Sequence, residues 1–381
     1  MSKATEVYNT AMPNKYLLQE IILSYSAEIE PSPFLECDPA PIEAKISFSK
    51  IRGMMLGLTV GDALGNTTES MLPGERSDMI GEIRDYLHNP HAGGDRAGLP
   101  TDDTQMAFWT LEQALEDGGL IPERLAEKFA RRQIFGIGSS VKKWREAYLS
   151  GLPWHKCSPG MAGNGALMRI APVLIPHLAK PSPALWADGL LAGMLTHNDR
   201  ASNSACVAFL GIFWELLQIN TAPSPEWWVD RYVEIAGELE GDTRYRPRGG
   251  EFHEYEGPMW KYVNEKVRHA WEKNMDALSA CNSWWSGAYL METVPSVLYI
   301  LMRHGHDPEE AIVRAVNDTK DNDTVAAVVG AAVGALHGEK GLPQRWIEGL
   351  LGRTGSQDDG RIFDLLDQAE LRFWPPPEKE Q

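Results

Sequence analysis

Residues 321–338 read DNDTVAAVVGAAVGALHG. Asp321 and Asp323 flank Asn322, Thr324 follows, and from there to Leu336 only alanine, valine, glycine and leucine occur. Acidic and hydroxyl residues at the front and glycine at the back are helix start and stop signals, so the segment predicts an alanine-rich, strongly buried helix ending near Gly338. The apolar part, Val325 to Leu336, is too short and too rich in glycine to span a bilayer. Far upstream, residues 53–65 read GMMLGLTVGDALG. Glycine at every fourth position leaves one helix face without side chains and lets a neighbouring helix approach closely.

The rest of the chain follows the same period. Apolar residues recur at three and four positions in Met106–Leu115, Leu185–Leu195, Ala205–Leu217 and Val294–Met302, and alternating β-branched runs are scarce. Breaks fall at His88–Pro100, Thr221–Pro225 and Arg244–Gly257, none long or neutral enough for a domain linker. The expectation is an all-α protein with one large helical domain over residues 46–374 and a short tail at 375–381. Residues 1–45 differ: they hold Lys3, Lys15 and Lys45 against Glu6, Glu20, Glu28, Glu30, Glu36, Asp38 and Glu43, and Pro31, Pro33, Pro39 and Pro41 stiffen their second half. Leu17, Leu18, Ile21, Ile22 and Tyr25 after an Asn14 cap predict a short amphipathic helix there. Such an arm either packs on its own domain or docks on another protein.

Composition bounds the function. With 43% hydrophobic residues among 381 there is ample material for a core, and a net charge of −17 argues against general affinity for nucleic acid or anionic lipid. The excess carboxylate reads as solubility, as cation binding or as a match for a basic partner. Cys37, Cys157, Cys206 and Cys281 form no metal or disulfide pattern, and residues 1–30 show no secretory signal. A reduced cytoplasmic protein is expected, with Cys206 and Cys281 in the core.

A second acidic motif echoes the first. Thr101-Asp102-Asp103-Thr104 follows Gly98-Leu99-Pro100 and opens a helix that runs to Gly118-Gly119. Each motif alone reads as an ordinary cap, since threonine and aspartate suit a helix start and carboxylates there complement the dipole. Two carboxylates within three residues, twice, beside a threonine hydroxyl and apolar packing, also describe a cluster whose repulsion and desolvation a hard divalent cation relieves. Oxygen-only donors favour Mg²⁺ or Mn²⁺ over zinc, and their number suits two ions about 4 Å apart. Glu69, just beyond the glycine-spaced helix, is then a candidate acid/base or metal-facing group.

Five segments together resemble a known family: GMMLGLTVGDALG followed by Glu69, TDDTQMA at 101–107, GNGALMRIAPV at 163–173, LTHNDR at 195–200, and DNDTVAAVVGAAVGALHG at 321–338. In this order they resemble the ADP-ribosylglycohydrolases, the group that includes the dinitrogenase-reductase activating glycohydrolase. The resemblance implies a single large orthogonal all-α domain with a dinuclear Mg²⁺ or Mn²⁺ centre, hydrolysing the bond between ADP-ribose and a protein side chain. It places Thr101, Asp102, Asp103, Asp321, Asp323 and Thr324 as metal ligands and Glu69, Asp102 and Asp323 as catalytic. Gly136 and Gly138 in the FGIGSS turn, Gly163-Asn164-Gly165 and His197 become the substrate cradle.

Without the resemblance His197 reads as a structural histidine, Arg169 as a helix-end charge, and Tyr289 as core or as a base-stacking ring. One departure stands out: many members have two glycines where this chain has Thr319-Lys320, and Lys320 would either weaken cation binding or contact substrate phosphate. The preferred substrate is an arginine-linked ADP-ribosyl protein. A bacterial subgroup resembles immunity proteins against ADP-ribosylating toxins, in which an amino-terminal extension also plugs the toxin, so residues 1–45 are a candidate toxin-binding segment. A housekeeping hydrolase of another linkage or of a small metabolite, a dinuclear phosphoesterase and a non-catalytic ADP-ribose binder remain open.

Overall fold

The helices at Ser49–Gly65 and Asn322–His337 lie against each other with backbone touching backbone. A Cβ on Gly53 would stand 2.5 Å from the Gly334 carbonyl oxygen, on Gly57 2.1 Å from that of Gly330, on Gly61 2.1 Å from that of Ala326, and on Gly65 2.5 Å from the Asp323 Cα. The two therefore run antiparallel, and the end of the first is fixed on the start of the second. This pair is the axis of the molecule, and both helices are buried along nearly their whole length.

The computed structural model describes residues 12–374 apart from 25, 43–45, 70 and 357. Among the described residues the α-helices are α1 (Asn14–Leu23), α2 (Ser49–Gly65), α3 (Pro73–Met79), α4 (Asp102–Asp117), α5 (Pro122–Arg131), α6 (Ser139–Leu149), α7 (Ala184–Met194), α8 (Arg200–Leu216), α9 (Pro225–Glu240), α10 (Met259–Glu272), α11 (Ala277–Ser283), α12 (Leu290–His304), α13 (Pro308–Asp318), α14 (Asn322–His337), α15 (Gln344–Glu348) and α16 (Arg361–Phe373). Extended pairing among them is limited to isolated bridges such as Gly163 with Tyr289. The fold is all-α, as the 3.6-residue period requires, and the predicted breaks are loops between helices. No described helix is long and apolar enough to cross a membrane. Cys206 and Cys281 are buried, as expected, and so is Cys157.

The start of α4 is tied to α2 by one side chain. Asp62 is fully buried, and its carboxylate accepts from Thr101 N at 2.9 Å, Thr101 Oγ1 at 2.8 Å, Thr104 N at 3.1 Å and Thr104 Oγ1 at 2.6 Å. A helix N-terminus leaves backbone N–H groups unpaired and favours negative charge; here the neighbouring helix supplies it.

The described part of the arm packs on its own domain. In α1, Leu18 and Ile21 are buried. Asn14 is not the cap that its position predicts: Pro13 precedes the helix, and the Asn14 amide donates to Leu120 O at 2.8 Å and to Asp188 Oδ1 at 2.6 Å. Beyond it the strap is pinned from below, Trp186 Nε1 donating to Cys37 O at 2.8 Å and Trp214 Nε1 to Ala40 O at 2.7 Å.

Candidate functional site

Because Gly65 rests on Asp323 and Asp62 holds Thr101, the loop after α2 and the starts of α4 and α14 converge. Carboxylate oxygens of Asp62, Asp103 and Asp323 lie within 4.8 Å of one another, and so do those of Glu69, Asp321 and Asp323. Burial holds Asp102, Asp103 and Asp323 well above the usual carboxylate range, and neighbouring carboxylates add to it: Asp62 for Asp102, Asp323 for Asp103, Asp321 for Asp323. Glu69, exposed at the pocket edge, is raised by partial desolvation and then by Asp321 and Asp62.

These carboxylates are not equally available. Asp62 has spent its lone pairs on Thr101 and Thr104, so it is a support. Neither helix start caps itself: the side chains of Thr101 and Asp321, at the cap positions, make no capping bond, so of the ordinary reading only the complement of the helix dipole by first-turn Asp102, Asp103 and Asp323 stands. Asp103 Oδ2 is buried with no partner, while its Oδ1 lies 3.4 Å from Thr324 Oγ1. Asp321 Oδ2 accepts from Asn164 Nδ2 at 2.5 Å, and Asp323 Oδ1 from Thr324 N at 2.9 Å. An orphaned buried oxygen among mutually repelling carboxylates, all donors being oxygen, is the environment that a hard divalent cation satisfies. The residues fit such a centre.

Glu69, Asp102, Asp103, Asp321, Asp323 and Thr324 line one cavity of about 190 Å³, together with Gly136, Gly138, Gly163, Asn164, Gly165 and His197. Thr101 faces a neighbouring cavity of about 670 Å³, which shares Gly136 with the first; its hydroxyl proton goes to Asp62, leaving its lone pairs free.

The glycines matter where the backbone must come close. Gly136 has a left-handed φ of 68°, and a Cβ there would sit 3.1 Å from Asp102 Oδ1. The loop bearing it is held by buried Gln105, whose amide donates to Gln133 O at 3.0 Å and Thr354 O at 2.9 Å and accepts from Phe135 N at 3.0 Å. A Cβ on Gly165 would meet the His197 ring at 2.7 Å and one on Gly163 at 3.1 Å, so the cradle rests on the imidazole.

His197 is buried and its pKa is lowered to about 3, by desolvation and then by Arg169. Arg169 Nη2 donates to Thr196 Oγ1 at 2.8 Å, and Thr196 Oγ1 lies 2.9 Å from His197 Nδ1. The threonine hydroxyl accepts from the guanidinium and engages Nδ1, and the lowered pKa makes His197 neutral, with Nε2 on the side of Gly163 and Gly165.

Four supports of the site are not evident from the sequence. Asp62 had one signal, an acidic residue inside an otherwise small and apolar helix. Gln105 and Arg76 had none: Arg76 is fully buried and donates to Thr68 Oγ1, Asn317 O and Thr319 O, each at 3.0 Å, clamping the Glu69 loop to the end of α13. Arg248, from the glycine- and arginine-rich break, lines the acidic cavity; it pairs with buried Glu292 at 3.1 Å and lies 4.6 Å from the Tyr289 ring centroid. Tyr289 is therefore covered by a cation. Lys320 lays its ammonium 3.9 Å from the Trp285 ring centroid and is not among the residues lining the acidic cavity.

A family model described as ADP-ribosylglycohydrolase matches residues 43–374. The chain is 26% identical over 383 residues to a Pseudomonas putida protein named ADP-ribosylarginine hydrolase Tri1, covering 94% of this chain and 91% of that protein. It is 26% identical over 328 residues to a Rhodospirillum rubrum ADP-ribosyl-dinitrogen reductase glycohydrolase, covering 84% of this chain and 96% of that protein. A solved structure titled ADP-ribosylglycohydrolase-related protein complex superposes with a TM-score of 0.61 at 24% identity over 87% of this chain and 99% of the other, a likeness of fold.

Proposed function

The chain belongs to the ADP-ribosylglycohydrolase family, and on that premise we propose that its acidic cavity hydrolyses the glycosidic bond between ADP-ribose and a modified arginine side chain. Asp103 Oδ2, buried without a partner among other carboxylates, is the observation that carries this reading. Two Mg²⁺ ions, with Mn²⁺ as the substitute, would be held by Thr101, Asp102, Asp103, Asp321, Asp323 and Thr324. The chemistry such a pair supplies is polarisation of ribose hydroxyls and of the attacking water.

The chain's own groups do the rest. The carboxylates of Asp102 and Asp323 face the ribose and stabilise the positive charge that develops at its anomeric carbon. Glu69, at the pocket edge and with a raised pKa, holds or accepts the proton that moves with the leaving group or water. Gly136, Gly138, Gly163 and Gly165 bring backbone near the diphosphate, Asn164 orients Asp321, and His197 meets the bound nucleotide through its Nε2 side. In this reading residues 46–374 are the catalytic domain and residues 1–45 an appended arm.

Arginine linkage is favoured by the relative named ADP-ribosylarginine hydrolase Tri1, whose alignment leaves too little of this chain uncovered to omit the whole arm. Toxin immunity is a further part of the proposal, in which the hydrolase reverses the modification. Blockade of the toxin is proposed for the arm of residues 1–45, whose residues 1–11 lie outside the described residues. The test is a panel of arginine- and serine-ADP-ribosylated peptides with products identified by mass. Intact ADP-ribose from the arginine peptide is expected; AMP would indicate diphosphate cleavage, and no product from any peptide would indicate a binder.

A further inference from the structure

The strap after α1 runs directly past the residue that follows His197. Glu28 N donates to Asn198 Oδ1 at 3.0 Å, and Asn198 Nδ2 donates to Ser26 O at 2.6 Å. One side-chain amide therefore engages the strap in both directions. Asn203 Nδ2 reinforces it, donating to Glu28 O at 2.9 Å and to Asn198 Oδ1 at 3.1 Å. Arg200 pairs with Glu28 at 3.7 Å and also with Glu30, and Glu30 N is anchored on Leu239 O at 2.9 Å.

The other side of Asn198 reaches the cradle. Its backbone N–H donates to Ser158 Oγ at 2.6 Å, and Gly160 N donates to the same hydroxyl at 3.4 Å. Asn198 thus joins the strap, the segment leading into Gly163–Gly165, and the loop carrying His197, whose ring those glycines rest on. The strap lies before residue 43, where the family match begins, yet it is built into the loop that family residues share.

We propose that residues 26–30 are a positioning strap for the nucleotide half of the cleft, acting through Asn198. With the strap seated, His197 and the Gly163–Gly165 turn are held ready for ADP-ribose; without it the loop at 195–200 must be ordered by the ligand, and that ordering cost appears as weaker binding. The carboxylates on α4 and α14 are fixed by Asp62 and by the α2–α14 contact, and Asn164, which meets Asp321, is held without the strap by Ala288 O at 3.1 Å and Thr293 Oγ1 at 3.0 Å, so turnover of bound substrate does not depend on the strap. The inference rests on the reading that this cavity takes ADP-ribose.

The test uses full-length protein. Glu28→Pro removes the N–H that meets Asn198, Glu28→Ala keeps it while deleting the carboxylate, and Asn198→Ala breaks the joint from the other side. Three quantities are read: Kd for ADP-ribose by calorimetry, KM and kcat on an ADP-ribosylarginine peptide, and hydrogen exchange of residues 158–165 and 195–200 without ligand. Glu28→Pro and Asn198→Ala should each raise Kd and KM by roughly tenfold, with kcat within about twofold and faster exchange in both segments, while Glu28→Ala stays near wild type. Unchanged Kd and exchange in folded Asn198→Ala overturns the proposal even if Glu28→Pro fails to fold, and so does a fall in kcat at constant KM. If wild-type protein binds no ADP-ribose, the substrate reading fails, and the exchange data alone decide whether the strap orders the loop.

Discussion

Gly57 and Gly330 each occupy the space that a side chain on the other would need: a Cβ on Gly57 would lie 2.1 Å from Gly330 O, and one on Gly330 2.0 Å from Gly57 O. Backbone cannot step aside as a flexible side chain can. Gly57→Ala and Gly330→Ala should each cost at least the ~1–3 kcal/mol typical of overpacking. Gly74→Ala, at a helical position with nothing within 4 Å, should be neutral or slightly stabilising. Urea unfolding of the three variants checks this.

Asp103 should be a liability to the metal-free fold. With chelator present, Asp103→Asn relieves repulsion from Asp323 and Asp62 and should raise the melting temperature by a few degrees, on the order of 1–2 kcal/mol. With saturating Mg²⁺ the order should reverse, because only wild type gains the linkage stabilisation of the site that Asp103 completes, about 2.7 kcal/mol at a hundred times Kd. Melting curves with chelator and with Mg²⁺ measure both.

Asp62 should behave as a support rather than a ligand. Asp62→Asn turns an amide group toward the N–H donors of Thr101 and Thr104 and should destabilise the protein by about 2 kcal/mol. Mn²⁺ affinity should weaken through displacement of α4, but binding should persist, whereas Asp103→Asn should abolish it at one of the sites. Paramagnetic titration with Mn²⁺ separates the two cases.

His197 gives a signed pH dependence. Its pKa falls from 6.5 in the unfolded chain to about 3 in the fold, so below pH 6.5 the unfolded chain takes up a proton that the folded chain refuses. The stability it contributes is full above pH 6.5 and declines as pH falls toward 3, at up to about 1.4 kcal/mol per unit. His197→Gln should flatten that part of the stability curve, measured by urea unfolding at a series of pH values.

Much of the fold was legible because its signal is local. The 3.6-residue period located the principal helices, and glycine at every fourth residue of 53–65 announced a bare face. What it met was not legible: nothing local says that Gly57 faces Gly330 rather than some other small residue. The same holds for the site. Asp102, Asp103, Asp321 and Asp323 were readable as two similar acidic helix starts, but Asp62, Arg76 and Gln105 act through partners tens to hundreds of residues away, and their own neighbourhoods look ordinary. Arg248 sat in a segment read only as a break. The arm is the clearest case: its acidic charge left self-packing and docking open, and the packing of its described residues rests on Asn198, Trp186 and Trp214, which do not belong to it.

In the proposed function, two facing helix starts form a cation-dependent hydrolytic centre. The most direct measurement is release of ADP-ribose from an arginine-ADP-ribosylated protein by wild type and Asp323→Asn, each with Mg²⁺ and with chelator. Expected are intact ADP-ribose from wild type with Mg²⁺, loss of release in chelator restored by added Mg²⁺, and at least a hundredfold slower release by Asp323→Asn, roughly 3 kcal/mol in the transition state. Undiminished release by wild type in chelator, or by Asp323→Asn in Mg²⁺, would contradict the proposed function.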